Sequence, residues 1–547
     1  MKRRFLRLIG LLLVLTLVAG CGYSGTEARI QSSSVDSGQE TASREQYLHF
    51  RDMTYVRPEL GELEQTLADT LDAAGNGDIR NAMDGVYRFY DLYDWYHTYY
   101  SIADVRYSGD LTDDYWRQEY EYCSQNSVQV DLMLEELYYG LAASPIREKL
   151  ELPQFFGEGF FTAYEGENPL DETLSALLDR ETQLENRYYT LSEQTLAYEY
   201  ASDALYDACA EDLAQLLVEM IGVRQAIAAQ YGYSSYPELA WDLYYDRDYT
   251  LADTRTYLAD IRRELVELYA ASADSSCWDG LNVYCSGEDT MAYLEQTAGA
   301  MGGSFQRSYQ KMVTRGLYDT HYSENKYNAS YETYLTGYGV PYLFMKPELS
   351  NYDCLTLVHE FGHFCNDDAS GGSYADVDVA EVFSQAMEYM ALIYGPEVPG
   401  LRAGKMADSL GLYVEQAAYM EFELRMYELT GENLSVQGLY DLYAQVAQDY
   451  GFASMGYDPR EFVQTVHFYT NPMYIISYLV SNDAALQLYQ MELENPGTGR
   501  DKLEANLDTP CSSLMAFLES AQLDSPFVPG RISQVRQILE SGLRDAE

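Results

Sequence analysis

From about residue 46 the chain reads as a succession of helices. Apolar and aromatic positions recur three and four residues apart, as in Tyr87, Tyr90, Tyr93 and Tyr96, the spacing that lines one face of an α-helix. Only 15 prolines interrupt 547 residues, so long helical stretches are expected. One segment breaks the pattern. Gly337 to Pro347 is a short apolar run bounded by Gly and Pro, the signature of a strand. A helix is predicted directly after it, with Leu355, Leu357, Val358 and Phe361 as its apolar face and Asn351 and Asp353 as candidate caps. A second helical run is expected from Asp378 to Glu388, beyond Gly371-Gly372.

The start of the chain differs from this pattern. Lys2, Arg3, Arg4 and Arg7 precede an apolar stretch from Leu8 to Val18, which is too short to span a bilayer and has the layout of an export signal. It runs into Val18-Ala19-Gly20-Cys21, which resembles a bacterial lipobox. Residues 1–20 are therefore expected to be a lipoprotein signal peptide, with Cys21 lipidated and the protein anchored to the outer face of the cell membrane. Residues 21–45 are polar and lack apolar periodicity, as a flexible tether would.

Composition narrows the partners. The chain is 47% hydrophobic, enough for a large core in more than one lobe. It carries 87 Asp and Glu against 35 Lys and Arg. Nucleic acid is excluded as a partner on this balance, because a phosphate backbone is bound by cationic side chains. The 54 tyrosines suit helix surfaces that are apolar along their length and polar at the tip. After Cys21 seven cysteines remain: Cys123, Cys209, Cys277, Cys285, Cys354, Cys365 and Cys511. Export would permit disulfides, and Cys277 with Cys285 could close a short loop. Cys354 and Cys365, eleven residues apart on one helix, lie about 16 Å apart and out of reach of each other.

The candidate chemistry lies in His359-Glu360-Phe361-Gly362-His363, in a chain with only 6 histidines. On a helix the two imidazoles stand one turn apart on one face, where they can bracket one Zn2+ ion, with Glu360 beside them as a general base. Zinc needs a third protein ligand. Glu381 and Glu388 share a face of the following helix, and spacing alone does not choose between them; the other would be an acceptor for a ligand imidazole. Further along, His467, Tyr474 and Tyr478 offer hydrogen-bond donors suited to a developing oxyanion.

These residues resemble the thimet oligopeptidase and oligoendopeptidase F family of zinc peptidases. The likeness runs from about residue 200 to 530. It includes Arg224 to Tyr249, the Pro341-Tyr342-Leu343-Phe344 segment, and Glu421 to Leu429. The resemblance implies His359, His363 and Glu381 as metal ligands, Glu388 in the outer shell, Glu360 as general base, and His467 and Tyr478 steadying the transition state; Tyr474 fits the oligoendopeptidase F-like run Pro-Met-Tyr-Ile-Ile-Ser-Tyr. It implies a mainly α fold: an N-terminal helical lobe over 46–200 and a catalytic domain over 201–547 flank a deep substrate channel, with a small β element near the zinc helix. Tyr342, Leu343 and Phe344 are expected on an edge strand along which a peptide adds. Short oligopeptides are the expected substrates, cut at internal bonds. A dipeptidyl carboxypeptidase with the same chemistry and a non-catalytic peptide-binding lipoprotein are the alternatives. The sequence departs from the family at Phe364-Cys365-Asn366, where many members carry an Ala-Met-His run.

Overall fold

The computed structural model describes residues 48–164, 172–199, 203–272, 276–372, 376–458, 460–508 and 513–544. The expected signal peptide, the tether and Cys21, like Cys511, lie outside the described residues. The fold is mainly α, as the periodicity predicts, with one small sheet. Among the described residues no helix is long and apolar enough to cross a membrane.

Three helices, α1 (Leu60–Gly75), α2 (Ile79–Gly109) and α3 (Asp114–Ala142), pack on one another. Two of them are capped by a side chain, with Asp78 and Asp113 accepting hydrogen bonds from free backbone N–H groups of α2 and α3. Their apolar faces, with Phe156 and Phe161, enclose a core of their own around Leu67, Phe89 and Leu137.

A second, larger core begins with the paired helices α4 (Glu172–Glu199) and α5 (Asp203–Gln230). It continues through α6 (Leu251–Ser272), α7 (Gly287–Met301) and α8 (Gly303–Arg315). A three-stranded sheet follows: β1 (Tyr318–Asp319), β2 (Ser330–Leu335) and β3 (Val340–Met345). Then come α9 (Tyr352–Ser370), α10 (Val377–Tyr394), α11 (Leu401–Met426), α12 (Val436–Asp449), α13 (Ile476–Glu494), α14 (Thr498–Asn506), α15 (Leu514–Ala521) and α16 (Arg531–Arg544).

The sheet corrects the expected edge strand. Its order is β1-β3-β2, with β3 parallel to β1 and antiparallel to β2. Leu343 and Phe344 are therefore paired on both sides, and all six residues of β3 are buried. Leu343 and Phe344 thus offer no free edge to a peptide, and Tyr342, paired with Thr333 of β2, is buried. The continuous apolar run of β3 is what a central strand needs, because both of its faces are covered. The terminal strand on the side opposite β1 is β2.

The cysteines also differ from expectation. The six described ones are free thiols. Cys277 donates toward the Leu543 carbonyl, while Cys285 lies with its sulfur 3.9 Å from that of Cys354.

Candidate metal centre

The helix carrying the histidine motif, α9, lies against β2 and β3 on one side and α10 on the other. Its start differs in detail from expectation. Asn351 occupies the cap position, but its side chain donates to the Gly280 carbonyl instead. Asp353, one residue inside α9, accepts from the backbone N–H groups of Glu348 and Leu349 at 2.9 and 2.8 Å. Leu349 is left-handed there, with φ of 62°.

Gly362 brings α9 and α10 together. A Cβ at this position would stand 2.5 Å from Ser384 Cα and 2.6 Å from the Phe383 carbonyl oxygen. Only glycine lets the backbones approach this closely at the turn where α10 carries Glu381. The second glycine of interest, Gly371 with φ of 70°, ends α9 in the left-handed conformation.

The close approach gathers the predicted ligand set. One atom each from His359, His363 and Glu381 lie within 4.8 Å of one another. His359 Nε2 and His363 Nε2 stand 3.6 and 3.9 Å from Glu381 Oε2. Both nitrogens are buried and have no hydrogen-bond partner. Buried donors and acceptors are rarely left unpaired, and two orphaned imidazole nitrogens converging on a carboxylate fit a divalent cation. Two histidines and a glutamate match the donor set of catalytic zinc.

Glu388 lies one face-repeat further along α10 and does not join this triad. Its Oε1 is 2.7 Å from His359 Nδ1. That contact fixes the proton of His359 on Nδ1 and leaves Nε2 as the donor to a metal. The other oxygen, Oε2, is 2.7 Å from Lys405 Nζ of α11, which also donates to Asp408 at 3.1 Å. Burial by itself would raise the Glu388 carboxyl, but Lys405 and His359 hold it below the usual carboxylate range.

Glu360 is fully buried, and neither of its oxygens has a hydrogen-bond partner. Burial pushes its carboxyl up to about 8, against the opposing pull of His359. Burial works to lower His359, yet the carboxylates of Glu388, Glu360 and Glu381 carry it up to about 9. The same concentration of negative charge favours a dication in the centre.

The late segment completes the site. His467 opens a short helix, His467–Thr470, and its Nε2 is 3.1 Å from the Tyr478 hydroxyl. Burial lowers the imidazole to about 4, so the ring is neutral at physiological pH. Its Nδ1 is buried without a hydrogen-bond partner. Tyr478 sits in the first turn of α13, but Tyr474 precedes that helix, so the two do not share one continuous helical face. The Tyr474 hydroxyl donates to Glu381 Oε1 at 2.6 Å. Tyr474 thus touches the carboxylate of the candidate third ligand directly.

Two buried residues were not singled out by sequence reasoning. Arg224 of α5 is fully buried; it donates to the Phe468 carbonyl at 2.6 Å and to that of Tyr469, and pairs with Glu181 at 2.6 Å. It thereby anchors the turn that follows His467. Lys405 is 1% exposed. Both lie in ordinary helical patterns, and no local signal separates them from surface cations.

Comparisons with known proteins agree with this architecture. Residues 50–168 match the family model of the Peptidase M3 N-terminal domain. A comparison with curated proteins finds no match. Among solved structures, one described as an oligoendopeptidase F is 20% identical, with a TM-score of 0.76, covering 91% of this chain and 99% of its own. PZ peptidase A with a bound inhibitor is 18% identical at a TM-score of 0.74, covering 91% and 99%. One described as an oligoendopeptidase F from Bacillus anthracis str. Ames is also 18% identical at 0.74, covering 91% and 98%. At these identities the likeness establishes the fold, which is that of oligoendopeptidase F.

Proposed function

We propose that this chain is a zinc-dependent endopeptidase acting on short oligopeptides, held outside the cell membrane by a lipid on Cys21. One observation carries the chemistry: two orphaned buried imidazole nitrogens, His359 Nε2 and His363 Nε2, converge with Glu381 beside the unpartnered carboxylate of Glu360. A structural histidine pair would satisfy its ring nitrogens within the protein. The family match at 50–168 and the oligoendopeptidase fold support peptides as the substrate class.

His359, His363 and Glu381 would hold the metal. When bound, zinc brings the pKa of water toward about 7 and polarises a carbonyl. Glu388 orients His359 through Nδ1, and Tyr474 and Ser384 hold the Glu381 carboxylate. Glu360 takes a proton from the attacking water and returns it to the leaving amine. Its carboxylate has no hydrogen-bond partner within the protein, which leaves both oxygens open to that exchange. The neutral His467, paired with Tyr478, supplies hydrogen-bond donors for the carbonyl oxygen as it gains charge.

The test is cleavage of a quenched oligopeptide by the zinc-loaded protein and by Glu360→Gln. Loss of general-base catalysis costs about 100- to 10,000-fold, and a chelator is expected to abolish turnover. Undiminished cleavage by Glu360→Gln overturns the reading. Product masses from a ten-residue peptide distinguish internal cuts from stepwise release of C-terminal dipeptides.

A further inference from the structure

Among the described residues, four that are not glycine have a positive φ: Asp246 at 43°, Leu349 at 62°, Met473 at 68° and Gln522 at 56°. Such conformations are strained for side-chain-bearing residues and persist only where surrounding contacts hold them. Two of the four, Asp246 and Met473, belong to segments that are joined by several hydrogen bonds, one of them directly at the Met473 turn. That bond runs from Arg247 Nη1 to the Met473 carbonyl at 2.9 Å. A single turn of π-helix, Ala240–Tyr244, immediately precedes this segment, another irregularity that concentrates at functional sites.

The side chain of Arg247 is fully buried. Its guanidinium lies between the rings of Trp241 and Tyr245, 4.4 and 4.2 Å from their centroids. Nη2 donates to Ser477 Oγ at 3.0 Å, and Nε lies 3.5 Å from Asp378 Oδ2. Ser477 in turn donates to Asp378 Oδ1, and Tyr249 donates to Asp378 Oδ2 at 2.8 Å. Tyr245 donates to the Pro472 carbonyl at 2.9 Å. From the far side Glu423 accepts from the Met473 N–H at 2.8 Å.

The contacts fall on two elements. Met473 and Ser477 flank Tyr474 and precede Tyr478. Asp378 stands one turn before Glu381 on α10. The hydrogen bonds and ion pair of Arg247 involve none of His359, Glu360, His363 and Glu381.

We propose that Arg247 is a positioning residue: it holds the left-handed turn at Met473 and, through Asp378 and Ser477, sets the segment bearing Tyr474 and the start of α13 with Tyr478 in register with the helix bearing Glu381. The role rests on the peptidase reading for its kinetic consequence but not for its structural one. The planar fork of arginine is what the arrangement uses, because two donors must reach Met473 and Ser477 while the plane stays stacked between two rings. A lysine keeps the charge opposite Asp378 and cannot make both bonds.

The experiment uses the full zinc-loaded chain with Arg247→Lys and, as a milder second variant that leaves the buried ion pair intact, Ser477→Ala. Three quantities are read: kcat and KM on a quenched oligopeptide, metal affinity by chelator competition, and amide hydrogen exchange along the chain. For Arg247→Lys, kcat is expected to fall about 10- to 100-fold, the scale of a misplaced catalytic group. KM stays within about threefold, and metal affinity falls no further than in Tyr474→Phe, because the segment that shifts meets the ligand set through the Tyr474 hydrogen bond to Glu381. Exchange at Met473 to Tyr478 accelerates while that of α9 is unchanged; Ser477→Ala shows the same pattern more weakly. Wild-type kcat together with wild-type exchange in Arg247→Lys overturns the proposal. So does a fall in metal affinity larger than that of Tyr474→Phe, which would place the effect on the ligands themselves. If Arg247→Lys does not fold, Ser477→Ala decides by the same criteria. A wild-type protein that cleaves no peptide counts against the peptidase reading instead, and the exchange measurement still decides the role of Arg247.

Discussion

Lys405 Nζ and His359 Nδ1 each lie 2.7 Å from an oxygen of the same Glu388 carboxylate. A cation on α11 is thereby tied, through one buried acid, to the imidazole that faces the candidate metal.

Lys405→Met is expected to weaken zinc binding. Removing the ammonium leaves Glu388 buried beside His359 without its second partner, and the imidazole loses a fixed orientation. Outer-shell replacements cost about 10- to 100-fold in metal affinity. Chelator competition measures this directly, and an unchanged affinity would separate Lys405 from the site.

Gly362→Ala tests the helix approach. The added methyl would collide with backbone of α10 at Phe383 and Ser384, and neither can swing aside as a side chain tip would. Overpacking of this kind costs about 1–3 kcal/mol. Pushing α9 from α10 also widens the gap between His363 and Glu381. Both a lower Tm and a weaker zinc affinity are expected, whereas a purely structural glycine would lower Tm alone.

Tyr474→Phe removes one hydrogen bond to Glu381. Hydrogen bonds to charged groups contribute about 1.5–3 kcal/mol, so zinc affinity is expected to drop about tenfold or more. If affinity holds and only kcat falls, Tyr474 acts on substrate and not on the ligand.

The pH dependence of stability follows from buried carboxyls. Burial raises Glu423 to about 8, and Asp104 and Glu415 to about 7. Each has a folded pKa above its unfolded one, so the folded state binds the extra proton between about pH 4 and 8, and stability declines as pH rises through that window. His467 has the opposite sign. Its folded pKa of about 4 lies below the unfolded value, so its contribution is lost as pH falls from about 6.5 toward 4. Metal-free protein is expected to have a higher Tm near pH 5.5 than near pH 8.5, and Glu423→Gln should flatten the alkaline decline, by an amount on the order of 1–3 kcal/mol. A Glu423→Gln profile parallel to wild type would mean that Glu423 is ionised in the fold.

What could be read along the chain was local. The i, i+4 spacing of His359 and His363 follows from backbone hydrogen bonding within one helix, and the aromatic and apolar period of the remainder predicts a mainly α protein for the same reason. Spacing placed Glu381 and Glu388 on one face of α10 and could not divide their roles, since seven residues bring both to the same side. Tertiary structure separates them: Glu381 lies opposite Gly362 at the close approach, and Glu388 lies within reach of Lys405.

The remainder depended on long-range contact. An apolar run such as Val340 to Met345 has the composition of a strand, but whether it is an edge or a centre is decided by β1 and β2, from elsewhere in the sequence. Tyr474 is one of 54 tyrosines, and only the turn at Met473 carries its hydroxyl to Glu381. Arg224 and Lys405 carry no periodic signal, because a buried cation and a surface cation occupy the same helical pattern, and Arg247 lies in an irregular segment that has no period to read. Neighbouring residues suffice to specify a helical fold and the short motif from His359 to His363, since both are local. Which acids and cations hold that motif in place was decided by packing, which brings together side chains whose separation along the chain bears no relation to their distance in space.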